Sequence, residues 1–172
     1  FATGIYDYNL LTSSFVALSA VNGRPAGAPT KVAFSSQEWC GGVWSQLLFD
    51  AGAARSTLHS YFDGEADQSG TLPVPPTALS GDALLLWARG LAQPLIRPGE
   101  RLSVPLVRSL ESARLNHKPV EMMTAVLSRD AASARVTVPA GTFDVHRASV
   151  EIPGSPTWRF AVETAAPHRI VE

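Results

Sequence analysis

The sequence predicts a mainly β (α+β) fold: a curved antiparallel sheet or partly open barrel, with one amphipathic helix over about residues 80–92 covering a face. Three observations carry this reading. Glycine and proline contribute 13 residues each, and they fall between short apolar runs instead of gathering in a linker. Several of those runs are rich in β-branched residues or alternate with period two. One segment alone recurs at helical spacing.

Trp158, Phe160 and Val162 alternate with Arg159, Ala161 and Glu163, the pattern of a strand with one face in the core. Upstream, Arg135 to Val138 and Thr142 to Ile152 flank Pro139-Ala140-Gly141, a hairpin-type connection. Val120 to Arg129 and His168 to Glu172 complete a C-terminal meander. In the N-terminal half the expected strands are Ile5 to Tyr8, Ser14 to Val21, Lys31 to Ser35, Val43 to Phe49 and Ser56 to Phe62, with a loop over Asn22 to Pro29. The helical segment begins at Ser80, a capping residue, with Asp82 in the first turn. Leu84, Trp87, Ala88 and Leu91 then line one face before Pro94 ends the run. A sheet with one apolar face needs such a cover.

Composition narrows the function classes. The 172 residues are 45% hydrophobic and only 17% charged, against a usual charged share of about 25%. That suits one domain over 1–172 and excludes a disordered tail. With 14 basic and 15 acidic residues and no single-sign block, no nucleic-acid partner is implied. The lone cysteine, Cys40, permits neither an intramolecular disulfide nor a cysteine-based zinc site. No apolar run is long enough for a transmembrane segment. The chain opens on Phe1 and stops inside an expected strand, so it reads as a fragment or processed product.

Three places hold polar residues densely. In Ser35-Ser36-Gln37-Glu38-Trp39-Cys40-Gly41-Gly42, Cys40 beside Glu38 is a candidate nucleophile if a base forms its thiolate. The structural alternative is a tight turn made by the glycines, with Trp39 and Cys40 filling core space. In His59-Ser60-Tyr61-Phe62-Asp63-Gly64-Glu65-Ala66-Asp67-Gln68, the Asp63-Gly64 turn predicts a hairpin with His59 and Tyr61 on one strand and Glu65 and Asp67 on the next. That brings His59 near carboxylates and makes Trp39, Tyr61, Asp63, Glu65, Asp67 and Gln68 candidate ligand-binding residues. A metal site is not expected, because one imidazole with carboxylates on a turn lacks a recognisable ligand spacing. His117, His146 and His168 each precede a basic residue and read as surface edges, and the remaining tryptophans read as core or strand-face aromatics. Nucleophile-elbow, zincin, P-loop and dinucleotide-binding signatures are absent from the sequence.

At Phe1-Ala2-Thr3-Gly4-Ile5-Tyr6, Ser36-Gln37-Glu38-Trp39-Cys40-Gly41 and the His59 to Gln68 run, the chain resembles a family of uncharacterised bacterial envelope proteins often labelled "septum formation inhibitor Maf". True Maf proteins are nucleotide pyrophosphatases with a Ser-x-Ser-Pro-Arg-Arg loop near the N-terminus, which this sequence lacks. Members of the resembled family usually carry a histidine two residues after the cysteine, where Gly42 stands here. The resemblance implies a lipoprotein-type signal, a location in the periplasm or on the outer membrane, and N-terminal strands missing from this chain. The run from Val138 to Phe143 onward is similar to periplasmic domains with curved antiparallel sheets, themselves reminiscent of lipoprotein-carrier folds that hold acyl chains.

The leading expectation is therefore a non-catalytic cell-envelope protein that binds a lipid, an acyl chain or another hydrophobic small molecule, or an envelope partner protein, on a curved sheet. The alternative is an envelope hydrolase or transferase using Cys40 or His59 with Glu38, Asp63, Glu65 or Asp67. No cofactor is implied, and no oligomeric state.

Overall fold

The computed structural model describes residues 7–172. The fold is mainly β, with two sheets and no closed barrel. Strands β1 (Asn9–Val16), β2 (Pro29–Glu38), β3 (Gly41–Phe49), β4 (Ala53–Ser60) and β5 (Gln68–Pro73) form a five-stranded antiparallel meander in chain order. The second sheet contains β6 (Leu79–Ser80), β7 (Arg101–Val107), β8 (Met122–Arg129), β9 (Ala134–Val138), β10 (Gly141–Glu151) and β11 (Trp158–Glu163). Its order is β11-β10-β8-β7-β6, with β9 also paired to β10. All its pairs are antiparallel except β6 with β7.

Alternation fixes which face of the first sheet turns inward. Val32 and Phe34 of β2, Val43, Leu47 and Phe49 of β3, and Ala54 of β4 are buried, whereas Trp44 and His59 lie opposite each other on the outer face. Val74, Ala78, Val107 and Leu110 cover much of that apolar face. On the second sheet, Val104, Leu106, Ala125, Leu127, Val150 and Phe160 pack under Leu84, Trp87 and Ala88. Helix α1 (Leu84–Ala88) thus covers a sheet face, as its spacing predicts.

That helix is shorter than expected. Ser80 does cap, accepting from the Asp82 amide, but the first turn is a 3-10 turn over Gly81–Ala83. Gly90 then takes a left-handed φ of 77°, so Leu91 falls outside the helix and is 50% exposed. A second helix, α2 (Leu110–Leu115), was not predicted: Ser109 caps it through the Ser112 amide, but six residues are too few for a periodic pattern. Gly81 passes so close to α2 that a Cβ there would lie 2.9 Å from the Ser109 nitrogen, which makes glycine the residue that fits.

Strand positions also shift. The strand expected over Ser14 to Val21 runs instead over Asn9–Val16, because the long β2 pairs it continuously from Asn9↔Gln37 to Phe15↔Lys31. A register shift between Phe15 and Val16 ends the pairing. The chain then turns at Asn22 and Gly23, both with positive φ. Arg24 anchors this loop: it is 1% exposed, donates through Nη1 to the Asp50 carbonyl and lies over the Phe49 ring. Of the strand expected over Ile5 to Tyr8, Ile5 and Tyr6 lie outside the described residues. Strands β5 and β7 were not predicted, the latter because Pro105 argues against a strand; it sits just where the two-residue β6 stops pairing with β7. The C-terminal segment lies along β11 through a bridge at Val162↔Ile170 and through the Val171 amide, which donates to the Ala161 carbonyl.

Candidate functional site

The β2–β3 hairpin pairs Glu38 with Gly41, leaving Trp39 and Cys40 as its two-residue tip. Cys40 is exposed and free, and Trp39 is 83% exposed. The tight turn is therefore present, but the core-filling role expected for these two residues is not. Gly41 has φ of 152° and packs under Tyr61, whose ring occupies the space a Cβ would need. Glu38 turns the other way. Its carboxylate meets Arg114 at 3.1 Å, with the two side chains only 2% and 10% exposed, and the guanidinium lies 4.2 Å over the Phe62 ring.

The expected β4–β5 hairpin is looser than predicted. Strand β4 ends at Ser60 and β5 begins at Gln68, so Tyr61, Asp63, Glu65 and Asp67 all belong to the connecting loop. That loop needs left-handed backbone at both Gly64 and Asp67, which the two-residue turn read from Asp63-Gly64 did not anticipate. Its carboxylates separate to the two faces of the sheet. Asp67 reaches the outer face, 2.6 Å from His59 Nδ1, and the His59 ring stacks on Trp44 at 5.5 Å. Glu65 reaches the inner side, accepting from Ser60 Oγ and pairing with His117 at 3.2 Å. Asp63 is exposed, and Gln68 donates to the Gly64 carbonyl.

Cys40 and His59 are not brought together. His59 is the cross-strand partner of Trp44, which lies four positions along the chain from Cys40, so a strand rise of ~3.3 Å per residue puts them ~13 Å apart. Of the other histidines, His117 and His168 are exposed, whereas His146 is half-buried on β10 opposite Val162. Among the described residues no cluster of three or more His, Cys, Asp or Glu side chains could hold a metal ion. No helix among the described residues is long and apolar enough to cross a membrane.

A broad concave feature lies elsewhere, where α1, α2 and the β10–β11 turn border the inner face of the second sheet. It is a groove of about 530 Å³, within the ~300–1,000 Å³ typical of small-molecule pockets. Leu106, Met123, Ile152 and Phe160 line it from the sheet, and Leu84 and Leu85 from α1. Three large apolar side chains on it are open to solvent: Leu85, Leu115 and Trp158, at 60%, 41% and 53% exposure. Trp158 stacks on Phe160 at 6.5 Å, continuing the apolar sheet face beyond the reach of α1.

Most polar residues of the groove come from the two helix starts, with Asn116 added at the end of α2. Asp82 accepts from the Leu110 amide with both carboxylate oxygens at 3.2 Å, tying the start of α1 to the start of α2. Burial is the largest influence on this carboxyl and raises its pKa to about 6, opposed by the hydrogen bonds from Leu110 and Ser80. Arg108 is ion-paired with Glu121. Ser109, Ser112 and Asn116 line the α2 side. None of the groove residues was read from the sequence as a binding residue; Asp82, Leu84, Trp158 and Phe160 were read only as helix and strand positions. Their available signal was the helical face around Leu84 combined with the strand that begins with Trp158 and Phe160, but only the tertiary fold shows that Leu85 and Trp158 stay uncovered. No family model, curated protein or solved structure significantly matches the chain.

Proposed function

We propose that this chain is a binding protein of the cell envelope that holds a single acyl chain of a lipid in the groove between α1, α2 and the second sheet. The observation that carries the reading is the continuous apolar track from buried Leu106 and Phe160 to exposed Leu85, Leu115 and Trp158. Exposed apolar side chains scattered singly need no explanation, but three on one groove do. The hydroxyl and amide groups of Ser109, Ser112 and Asn116 give an uncharged head group partners at the groove's polar wall.

Magnitudes favour an amphiphile. Burying a chain of a dozen methylenes at ~0.8 kcal/mol each gives a gross ~10 kcal/mol. Loss of motional freedom takes at least about 4 kcal/mol of that, leaving affinity of roughly tens of micromolar order at best. The location is the one implied by the resemblance of the Glu38 and His59 motifs to envelope proteins. Organic extraction of the purified chain, followed by mass spectrometry, tests the proposal. Stoichiometric recovery of a single class of acyl-bearing molecule is the expected result, and a chain that retains no amphiphile, whether as purified or after incubation with monopalmitoylglycerol, overturns it.

A further inference from the structure

Helix α2 has two differently occupied sides. Ser109, Ser112, Leu115 and Asn116 border the acyl groove, whereas Leu110, Ala113, Arg114 and His117, at helical spacing, border a separate cleft of about 350 Å³ against the first sheet. The register explains why that cleft exists. On the inner face, the row through Val32 and Leu47 continues into Ser56 and Gly70, and the row through Phe34 continues through Ser45 and Leu58 to Gln68. The face therefore changes from large apolar residues at its centre to small and polar ones toward β5. Ser56 and Gly70 are too small to meet α2, and a depression remains.

The geometry points to a binding site in this cleft for a small polyhydroxylated carboxylate, of the sugar-acid class. Ser45 and Gln68 supply groups that both donate and accept, and Ser56, whose hydroxyl donates to the Gly70 carbonyl, supplies an acceptor, as a polyol requires. The opposite wall supplies one positive charge that is not already paired, that of Lys118, and beside it the donors of the Glu38-neutralised Arg114 guanidinium. Arg114 is held rigidly by Glu38 and Phe62, and its Nε is buried without a hydrogen-bond partner, a condition that native structures rarely leave unused. Lys118 lines the cleft and is exposed. Its side chain makes no ion pair with any described residue.

The chain past α2 is built to present that lysine. The His117 amide donates to the Arg114 carbonyl at 3.4 Å and the Lys118 amide to the Ala113 carbonyl at 2.9 Å, the paired bonds of a Schellman motif. His117 therefore occupies the left-handed position, with φ of 48°, where glycine is usual. Its imidazole then reaches Glu65 across the cleft mouth. Neutral sugar would leave the cationic wall unanswered, and a simple anion would leave the hydroxyl row unanswered.

Calorimetric titration of the intact chain with glucuronate, glucose and acetate tests this. Saturable glucuronate binding is expected, with glucose and acetate each about tenfold weaker or more. Lys118→Ala, at an exposed position, is expected to weaken glucuronate about tenfold. Ser56→Leu fills the depression and is expected to abolish binding, with Lys118→Ala remaining informative if that variant misfolds. Absence of saturable glucuronate binding, equal binding of acetate, or binding that Lys118→Ala leaves unchanged would overturn the assignment. Acyl-chain retention is unaffected in every arm, because the groove lies on the other side of α2.

Discussion

Glu38 and Arg114, 76 residues apart, meet at 3.1 Å with both side chains almost wholly withdrawn from solvent. The pair ties the end of β2 in the first sheet to α2, which sits between the two sheets. Removing one partner of such a pair leaves an uncompensated buried charge, which typically costs about 3–5 kcal/mol. Glu38→Ala is therefore expected to lower unfolding free energy by that amount in urea. The double substitution Glu38→Leu with Arg114→Met should cost clearly less, because it removes both charges and keeps the volume. Equal losses in the two variants would mean that packing, not charge, dominates here.

Asp82 gives a pH dependence whose sign follows from its raised pKa. A carboxyl that titrates at about 6 when folded and near its ordinary value when unfolded binds more protons in the native state between those values. Its stabilising contribution is full below the unfolded value and is lost as pH rises through about 6. The loss is at most about 3 kcal/mol at neutral pH. Asp82→Asn keeps an acceptor for the Leu110 amide and should flatten this part of the profile. Thermal unfolding of the two proteins from pH 4 to 8 on the order of one-unit steps checks it; parallel profiles would contradict it.

His117 holds a left-handed φ of 48° at the end of α2. His117→Gly relieves the backbone and loses an exposed polar contact with Glu65 worth ~0–1 kcal/mol, so stability should stay nearly constant. His117→Val places a β-branched residue in the same conformation and should lose about 1–2 kcal/mol. Denaturant midpoints distinguish the two, and equal behaviour would show that the Schellman geometry is not retained in solution.

Gly41 has no room for a side chain beneath Tyr61. Gly41→Ala should therefore destabilise the hairpin by about 1–3 kcal/mol, and Tyr61→Ala in the same chain should recover much of the loss. A Gly41→Ala protein with an unchanged melting temperature would contradict the packing described for this tip.

How far the sequence could be read depends on the range of the interactions involved. Alternation made Trp158 to Glu163 visible as a strand, and the Ser80 cap with Leu84, Trp87 and Ala88 made the covering helix visible, because these patterns are local. The motif around His59 did bring a carboxylate to that ring, 2.6 Å away, but no local rule could foresee that Glu65 and Asp67 would part to opposite sides of the sheet. Both clefts were hidden. They depend on α2, which is too short to show periodicity, and on side chains such as Leu85 and Trp158 that look like core residues until neighbouring elements fail to cover them.

The most direct measurement is a titration of monopalmitoylglycerol against the intact chain and the variant Leu85→Asp with Trp158→Asp, followed by native mass spectrometry. Both positions are more than half exposed, so the variant should fold while placing two charges on the groove. One bound amphiphile on the parent chain and none on the variant is the expected result. Equal occupancy of the two proteins, or none on either, would contradict an acyl chain lying between α1, α2 and the second sheet.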